Sequence, residues 1–351
     1  MISINGKSNP NDINLILDRD FERFDSVVLG SIPPIFRIML DVEENPNYVV
    51  MYNFATEDIS SYIEQFNSLD SYLSVCASSD QILNGVLYGA TKIDTFDKNY
   101  FTKHSLFLKL ASLKSLSNEE LIKLYTEYDL RLQERVLQEV EPYIQLFWEK
   151  ILSKYGANAL SLAFGTTKVS VDQIREINPY LKPENYEKLK ELVDKVDINF
   201  IESDLYELPK YIDGKRYDAI NLSNIYEYLN FGKDATLEGA KRFRDFIMND
   251  LYPHLNLNGN ILVSYLYAFS EELKKDFDWM YKEYNGQIPE SEGSEIWDLK
   301  QQGLTMQNLA YSYLFDVFKD IDTLKIPTSH VEYGYSKDMS HDLAFMLKKT
   351  K

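Results

Sequence analysis

"SYLSVCASSDQILNGVLYGATKIDTFDKN", residues 71–99, decides how this chain is read. Tyr72 to Cys76 is a short apolar run of strand length. Ala77 to Asp80 is a tight polar turn. From Gln81 to Tyr88, Ile82, Leu83, Val86 and Leu87 recur with helical spacing. Lys92 to Phe96 is a second strand, and it ends on Asp97. Strand, turn, helix, strand opens a nucleotide-binding α/β fold. A dinucleotide needs glycines in that turn, because the backbone must approach a pyrophosphate closely. "CASSDQ" has none, which disfavours NAD and FAD.

Outward from this stretch, strands and helices alternate. Strands are expected at 198–204, 217–224 and 255–268, the last entered through a turn on Gly259. "TLKIPTS" and "HDLAFMLKK" read as a terminal antiparallel pair. Helices are expected at 81–88, 233–251, 270–284 and 304–319. Residues 99–196 are helical and too long for one crossover, so they form an insertion. Capping boxes mark two of its helix starts, Ser117 with Glu120 and Ser170 with Gln173. Pro183 opens another helix, and "LRLQERVLQEVEPYIQLFWEKILSKYG" reads as one helix stopping at Gly156. Residues 1–69 form a mainly helical segment, with helical pieces at 31–40 and 57–69. The alternation gives an α/β fold with a mostly parallel sheet, occupying 70–351.

Composition narrows the function. Of 351 residues, 44% are apolar, which supplies a real core. The chain carries 37 basic and 55 acidic residues, a net charge of -18. Such a surface repels nucleic acid and anionic headgroups, so neither is expected as a partner. A single cysteine, Cys76, excludes a disulfide framework and fits a reducing, cytoplasmic setting. The polar N-terminus lacks signal-peptide character, and the longest apolar stretches are too short to span a bilayer. The four histidines are scattered and no metal-ligand spacing occurs, so no metal is expected. His104 is expected at the surface. A serine hydrolase would need G-x-S-x-G, which is absent.

A ligand without phosphate fits the turn. S-adenosylmethionine has a carboxylate, which suits the helix start after Asp80. Its ribose diol needs an acceptor at the end of the second strand. Asp97 lies 20 residues after Ala77, close to the usual offset of ~20 for a ribose-binding acid. The adenine amine needs an acceptor beside the third strand, where Asp204 and then Leu205 follow "INFIES". Each aspartate also has an ordinary reading as a surface strand end. Ser78 and Ser79 double as turn formers, and Asp80 as a helix cap. "LSN", with Asn221 before it, places Asn221, Ser223 and Asn224 after the fourth strand. Tyr265, Tyr267 and Glu227 are proton-acceptor candidates, the tyrosines otherwise packing residues. "YNFATED", 52–58, combines Tyr52 and Phe54 with Asn53 and Thr56. It reads either as a lid over the cofactor or as a helix entry capped by Thr56.

Residues 74–121 are similar to the core of the S-adenosylmethionine:diacylglycerol 3-amino-3-carboxypropyltransferase-like proteins. That family includes betaine-lipid synthesis enzymes and uncharacterised bacterial relatives. The matching positions are Ser78-Ser79-Asp80, Leu83-Asn84, Gly89-Ala90, Asp97-Lys98-Asn99 and Leu108-Lys109. Segments 52–58, 217–229 and 258–267 resemble flanking parts, so the likeness covers roughly residues 45–270. The departure is Ser79, where the family has Gly; a side chain there is expected to narrow the methionine end of the pocket. The resemblance implies a Rossmann-like class I S-adenosylmethionine-dependent methyltransferase fold with a mostly parallel seven-stranded sheet and a terminal antiparallel strand. It implies S-adenosylmethionine as co-substrate, with Asn84, Lys98 and Asn99 added to its site. It does not fix the group transferred but favours a 3-amino-3-carboxypropyl group, moved to a small-molecule or lipid acceptor; Tyr265 and Asn224, by their places near strand ends, are the catalytic candidates. Methyl transfer and non-catalytic binding are the rival readings.

Overall fold

The computed structural model describes residues 51–66, 69–156, 164–165, 170–226, 237–267, 313–314, 316–318, 321, 323–329 and 342–350, together with Glu22. The expected helices at 31–40 and 270–284 lie outside the described residues, as do Glu227 and the start of the 233–251 helix. Seven strands form one sheet in the order β5-β3-β2-β6-β7-β9-β8. The chain divides into two compact units between Tyr211 and Ile212.

The first unit carries the opening motif. Strand β1, Met51–Tyr52, pairs in parallel with β4, Phe164–Gly165. Strand β2 runs Ser71–Val75, and helix α1 runs Asp80–Leu87. Strand β3, Lys92–Asp97, lies parallel to β2, with Val75 opposite Phe96. Strand β5, Asp197–Glu202, pairs with β3 on its other side. The boundaries of β2, α1 and β3 match the sequence reading to within a residue. Residues 57–66 give two short 3-10 turns, Ile59–Ser61 and Ile63–Gln65, where one longer helix is expected.

Between β3 and β5 the insertion is helical as expected. It comprises α2 (Phe101–Ser115), α3 (Asn118–Glu127), α4 (Leu130–Leu137), α5 (Pro142–Tyr155), α6 (Val171–Ile177) and α7 (Pro183–Val193). Both capping boxes form, at Ser117 with Glu120 and at Ser170 with Gln173. The single helix expected over 130–156 is two. Pro142 has no N–H to donate and biases Glu141 to an extended backbone, ψ 142. The chain therefore breaks before Pro142 and restarts there. Helix α2 is buried almost all round. It carries Thr102, Ser105, Lys109 and Ser112 at helical spacing, all buried.

The second unit holds β6 (Tyr217–Asn221), α8 (Leu237–Phe246), β7 (Leu255–Tyr267), β8 (Thr323–Thr328) and β9 (Asp342–Lys348). The expected terminal antiparallel pair forms, and β9 also pairs antiparallel with β7. The expected turn on Gly259 is instead a bulge inside β7. Asn258 takes φ 66, and the register with β6 shifts between Tyr217 and Ala219. A Cβ at Gly259 would meet three backbone carbonyl oxygens at 3.0 Å, so the close approach requires glycine.

Gly85 tests how tightly α1 sits on β2. A Cβ there would lie 2.6 Å from the Tyr72 ring, which is fully buried. Alanine would gain ~1 kcal/mol of helix propensity, but overpacking a rigid core costs ~1–3 kcal/mol. Gly85→Ala is therefore expected to lower the urea unfolding midpoint. An unchanged or raised midpoint would show a loosely packed α1.

Candidate functional site

Because β2 and β3 end in register, the turn after β2 faces the end of β3. Asp97 accepts the Ala77 N–H at 3.0 Å on one carboxylate oxygen and the Asn99 N–H at 2.8 Å on the other. The Thr102 hydroxyl also lies close enough to favour the ionised carboxylate. Asp97 is half-buried, and desolvation pushes its pKa up to about 6 against the pull of these two N–H groups. Asn99 is buried, and its side-chain oxygen accepts the Phe101 N–H at the start of α2. Lys98 between them is exposed.

The turn keeps a glycine-like backbone without glycine. Ala77 has φ 42 and Ser79 φ 72. Left-handed conformations cost a side-chain-bearing residue roughly 1–2 kcal/mol each. Something must hold them. The Ser79 N–H closes the turn on the Cys76 carbonyl at 2.6 Å. Ser79 itself is fully buried, with its hydroxyl 4.0 Å from the Cys76 sulfur. Its side chain packs into the protein. What the absent glycine changes is the backbone strain.

The main restraint comes from below. Lys109 on α2 has no exposed surface and donates three hydrogen bonds from Nζ. They reach the Asn53 carbonyl at 2.6 Å, the Ser78 carbonyl at 2.7 Å and Asp80 Oδ1 at 2.7 Å. Its ammonium lies 4.9 Å from the Phe54 ring centroid and 5.3 Å from that of Tyr125. Asp80, equally buried, also accepts the Tyr180 hydroxyl at 2.8 Å and the Ala55 N–H at 2.5 Å. Burial pulls the Lys109 pKa down, opposed by the Asp80 charge. Burial and the same carboxylate push Tyr180 well up. Sequence reasoning named Lys109 only as half of the Leu108-Lys109 pair of the resemblance, without a role, and did not single out Tyr180. The signal for the first was available: a lone charge inside "LFLKLASL", 106–113.

Segment 52–58 is tied to this network. Asn53 donates to the Tyr125 carbonyl at 2.8 Å, and Gln81 donates to the buried Glu57. Phe54 is fully buried, while Tyr52 and Thr56 are half-buried. Thr56 does not cap the following turn: Asp58 holds the N-cap position there, its carboxylate accepting the Ser60 hydroxyl and no N–H of the turn. Asn84 spends its side chain on the Asp80 carbonyl at 2.8 Å and the Tyr180 N–H at 3.0 Å. Ser78 is buried with its hydroxyl 3.4 Å from the Asp80 N–H. After β5, Asp204 is exposed and accepts the Glu207 N–H at 3.0 Å, and Leu205 is buried. Ala77, Asp97, Lys98, Asp204, Tyr52 and Thr56 are thus the accessible members of the expected set in this unit.

In the second unit, Asn221 is buried and accepts the Ser223 N–H at 2.8 Å, and Ser223 takes φ 49. Asn224 is half-buried. Tyr265 lies on β7, and its side chain is outside the description. His104, expected at the surface, is buried and stacks on Phe147 at 3.7 Å because α2 is enclosed. Among the described residues, no helix is long and apolar enough to cross a membrane.

The strand order, with the antiparallel β9 between β7 and β8, defines the class I S-adenosylmethionine-dependent methyltransferase fold. Solved structures that the chain resembles include methyltransferases. The rRNA methyltransferase aviRa from Streptomyces viridochromogenes is 11% identical, with a TM-score of 0.36 over 89% of this chain and 92% of that one. N-methyltransferase NodS from Bradyrhizobium japonicum WM9, in complex with S-adenosyl-l-homocysteine, is 8% identical. Its TM-score is 0.33 over 94% of this chain and 98% of its own. At these values the fold rests on the strand order itself. No family model matches the chain. No curated protein matches it either.

Removing Lys109 alone would leave Asp80 buried and charged without its cation, which costs ~3–5 kcal/mol. Lys109→Met is therefore expected to lose stability on that scale in urea unfolding. Lys109→Met with Asp80→Asn should lose less, because no naked charge remains. Equal losses would mean that the pair is not coupled.

Proposed function

We propose that the chain binds S-adenosylmethionine and transfers a group from it. The observation carrying this reading is Asp97: half-buried at the end of β3, with its two carboxylate oxygens oriented by the Ala77 and Asn99 N–H groups. A ribose diol offers two donors at matching spacing, and the glycine-free turn beside it suits a ligand without phosphate. In this reading Ala77, Lys98, Asp204 and Thr56 meet the ligand. Asn53, Phe54, Ser78, Ser79, Asp80 and Asn84 shape the floor beneath it. Asn221, Ser223, Asn224 and Tyr265 remain proposed contributors from the second unit.

Transfer from the sulfonium is a displacement at carbon. The carbon–sulfur bond breaks, sulfur leaves neutral with the electron pair, and the acceptor supplies the new bond. Catalysis rests on positioning. The fold favours methyl transfer to a small molecule. The resemblance of residues 74–121 favours the 3-amino-3-carboxypropyl group, with a small-molecule or lipid acceptor. Mass spectrometry of the spent cofactor, with a cell extract as acceptor source, separates them. S-adenosylhomocysteine marks methyl transfer and methylthioadenosine marks the alternative. A cofactor that binds and returns unchanged supports a non-catalytic binder.

Isothermal titration with S-adenosylhomocysteine tests the binding itself. Asp97→Ala should weaken it more than tenfold, since charge-assisted bonds contribute ~1.5–3 kcal/mol. The pH dependence has a definite sign. The ribose hydroxyls donate to ionised Asp97, so affinity should be level above neutrality and fall as the pH drops below about 6. Stability runs the opposite way. A carboxyl whose folded pKa is raised stabilises fully below its ordinary value of 3.8, and loses that contribution as the pH rises through about 6. No binding at millimolar ligand, or an affinity indifferent to Asp97→Ala, would overturn the reading.

A further inference from the structure

The Ser78 peptide is the hinge of the turn. It is flanked by two left-handed residues without glycine, Ala77 at φ 42 and Ser79 at φ 72. Rotating the Ser78–Ser79 peptide would move Ser79 toward a relaxed φ and turn the Ser78 carbonyl and the Ser79 N–H around. Its carbonyl accepts from Lys109 Nζ at 2.7 Å. That ammonium is held in place by the Asp80 carboxylate and the Asn53 carbonyl, and all three of its donors are used. A buried, fully satisfied cation opposite the strained peptide opposes the rotation more strongly than a neutral donor would. The turn in question also delivers the Ala77 N–H to Asp97.

We propose that Lys109 is a positioning residue. It locks the Ser78 carbonyl so that a turn without glycine keeps the left-handed geometry presenting Ala77 and Asp97 to the adenosyl ligand. The ligand half of this inference rests on the function proposed above; the lock does not. Lysine supplies by hydrogen bonding what glycine would supply by conformational freedom. Where Ser79 is replaced by glycine, the lock loses its importance.

The test is a cycle built on Lys109→Met with Asp80→Asn, which avoids a buried unpaired charge, measured with and without Ser79→Gly. Circular dichroism first fixes a temperature at which every variant is folded. Amide hydrogen exchange of Ser79 and Ala77 in the ligand-free protein reads the lock. Exchange should accelerate at least tenfold in the double variant, while the Leu83 and Tyr88 amides inside and just beyond α1 stay protected. Isothermal titration with S-adenosylhomocysteine reads the ligand half. Affinity should fall at least tenfold in the double variant, and the loss should shrink at least threefold when Ser79→Gly is present. A purely structural role for Lys109 would give the same loss with or without Ser79→Gly, and that result overturns the proposal. Unchanged exchange at Ser79 overturns it as well. If the wild-type protein fails to bind, the functional reading falls, and the exchange experiment alone decides the lock.

Discussion

A buried ion pair between Asp80 and Lys109 organises the first unit. Neither residue has exposed surface. Desolvating two charges costs several kcal/mol per ion, and their attraction offsets this only when the remaining donors and acceptors are satisfied. Here they are. Lys109 uses its three donors on Asp80 and two backbone carbonyls, and Asp80 receives Tyr180 and Ala55 as well. Residues from four separate parts of the chain, 53–55, 78–80, 109 and 180, meet at one point. The pair specifies an arrangement more than it adds stability.

The consequence for the candidate site is a division of labour. Most side chains beneath the turn are bonded to one another and closed to solvent. Asp97 is different: its backbone partners fix its direction, and it is half-exposed. A rigid floor with one oriented, accessible carboxylate is an efficient way to recognise a diol, because little ordering remains to be done on binding. The burial around Asp97 also raises its pKa, so in the proposed reading diol recognition and titration share one cause.

Segment 52–58 illustrates where local reasoning divides. Its mixture of aromatic and polar residues admitted both a lid and a helix entry. Its Asn53, Phe54 and Glu57 are all buried, and the polar ones find partners on α3 and α1. It follows the general rule that a buried polar group is a bonded one. The segment is a wall built into the α1 start, neither a Thr56-capped helix nor a surface linker.

Much of the fold was legible from residues 71–99 and the alternation around them. Strand and helix periods are local properties, and capping boxes are local hydrogen bonds, so β2, α1, β3 and both boxes fell where expected. The break at Pro142 was readable from proline chemistry alone, yet apolar spacing across it suggested one helix. The bulge at Asn258 was less accessible, because it depends on how β6 and β7 register. Asp97 was singled out by its distance from the turn, and the parallel β2–β3 register brings it to the Ala77 N–H. The contacts of Lys109 and Tyr180 and the burial of His104 came only from tertiary structure. Their partners lie between 29 and 100 residues away in the chain, and sequence spacing says nothing about contacts closed by folding. The sequence by itself determined the order of elements and the absence of a phosphate loop. The tertiary structure decided how a turn lacking glycine is held left-handed, because only packing brings a buried lysine to its carbonyl.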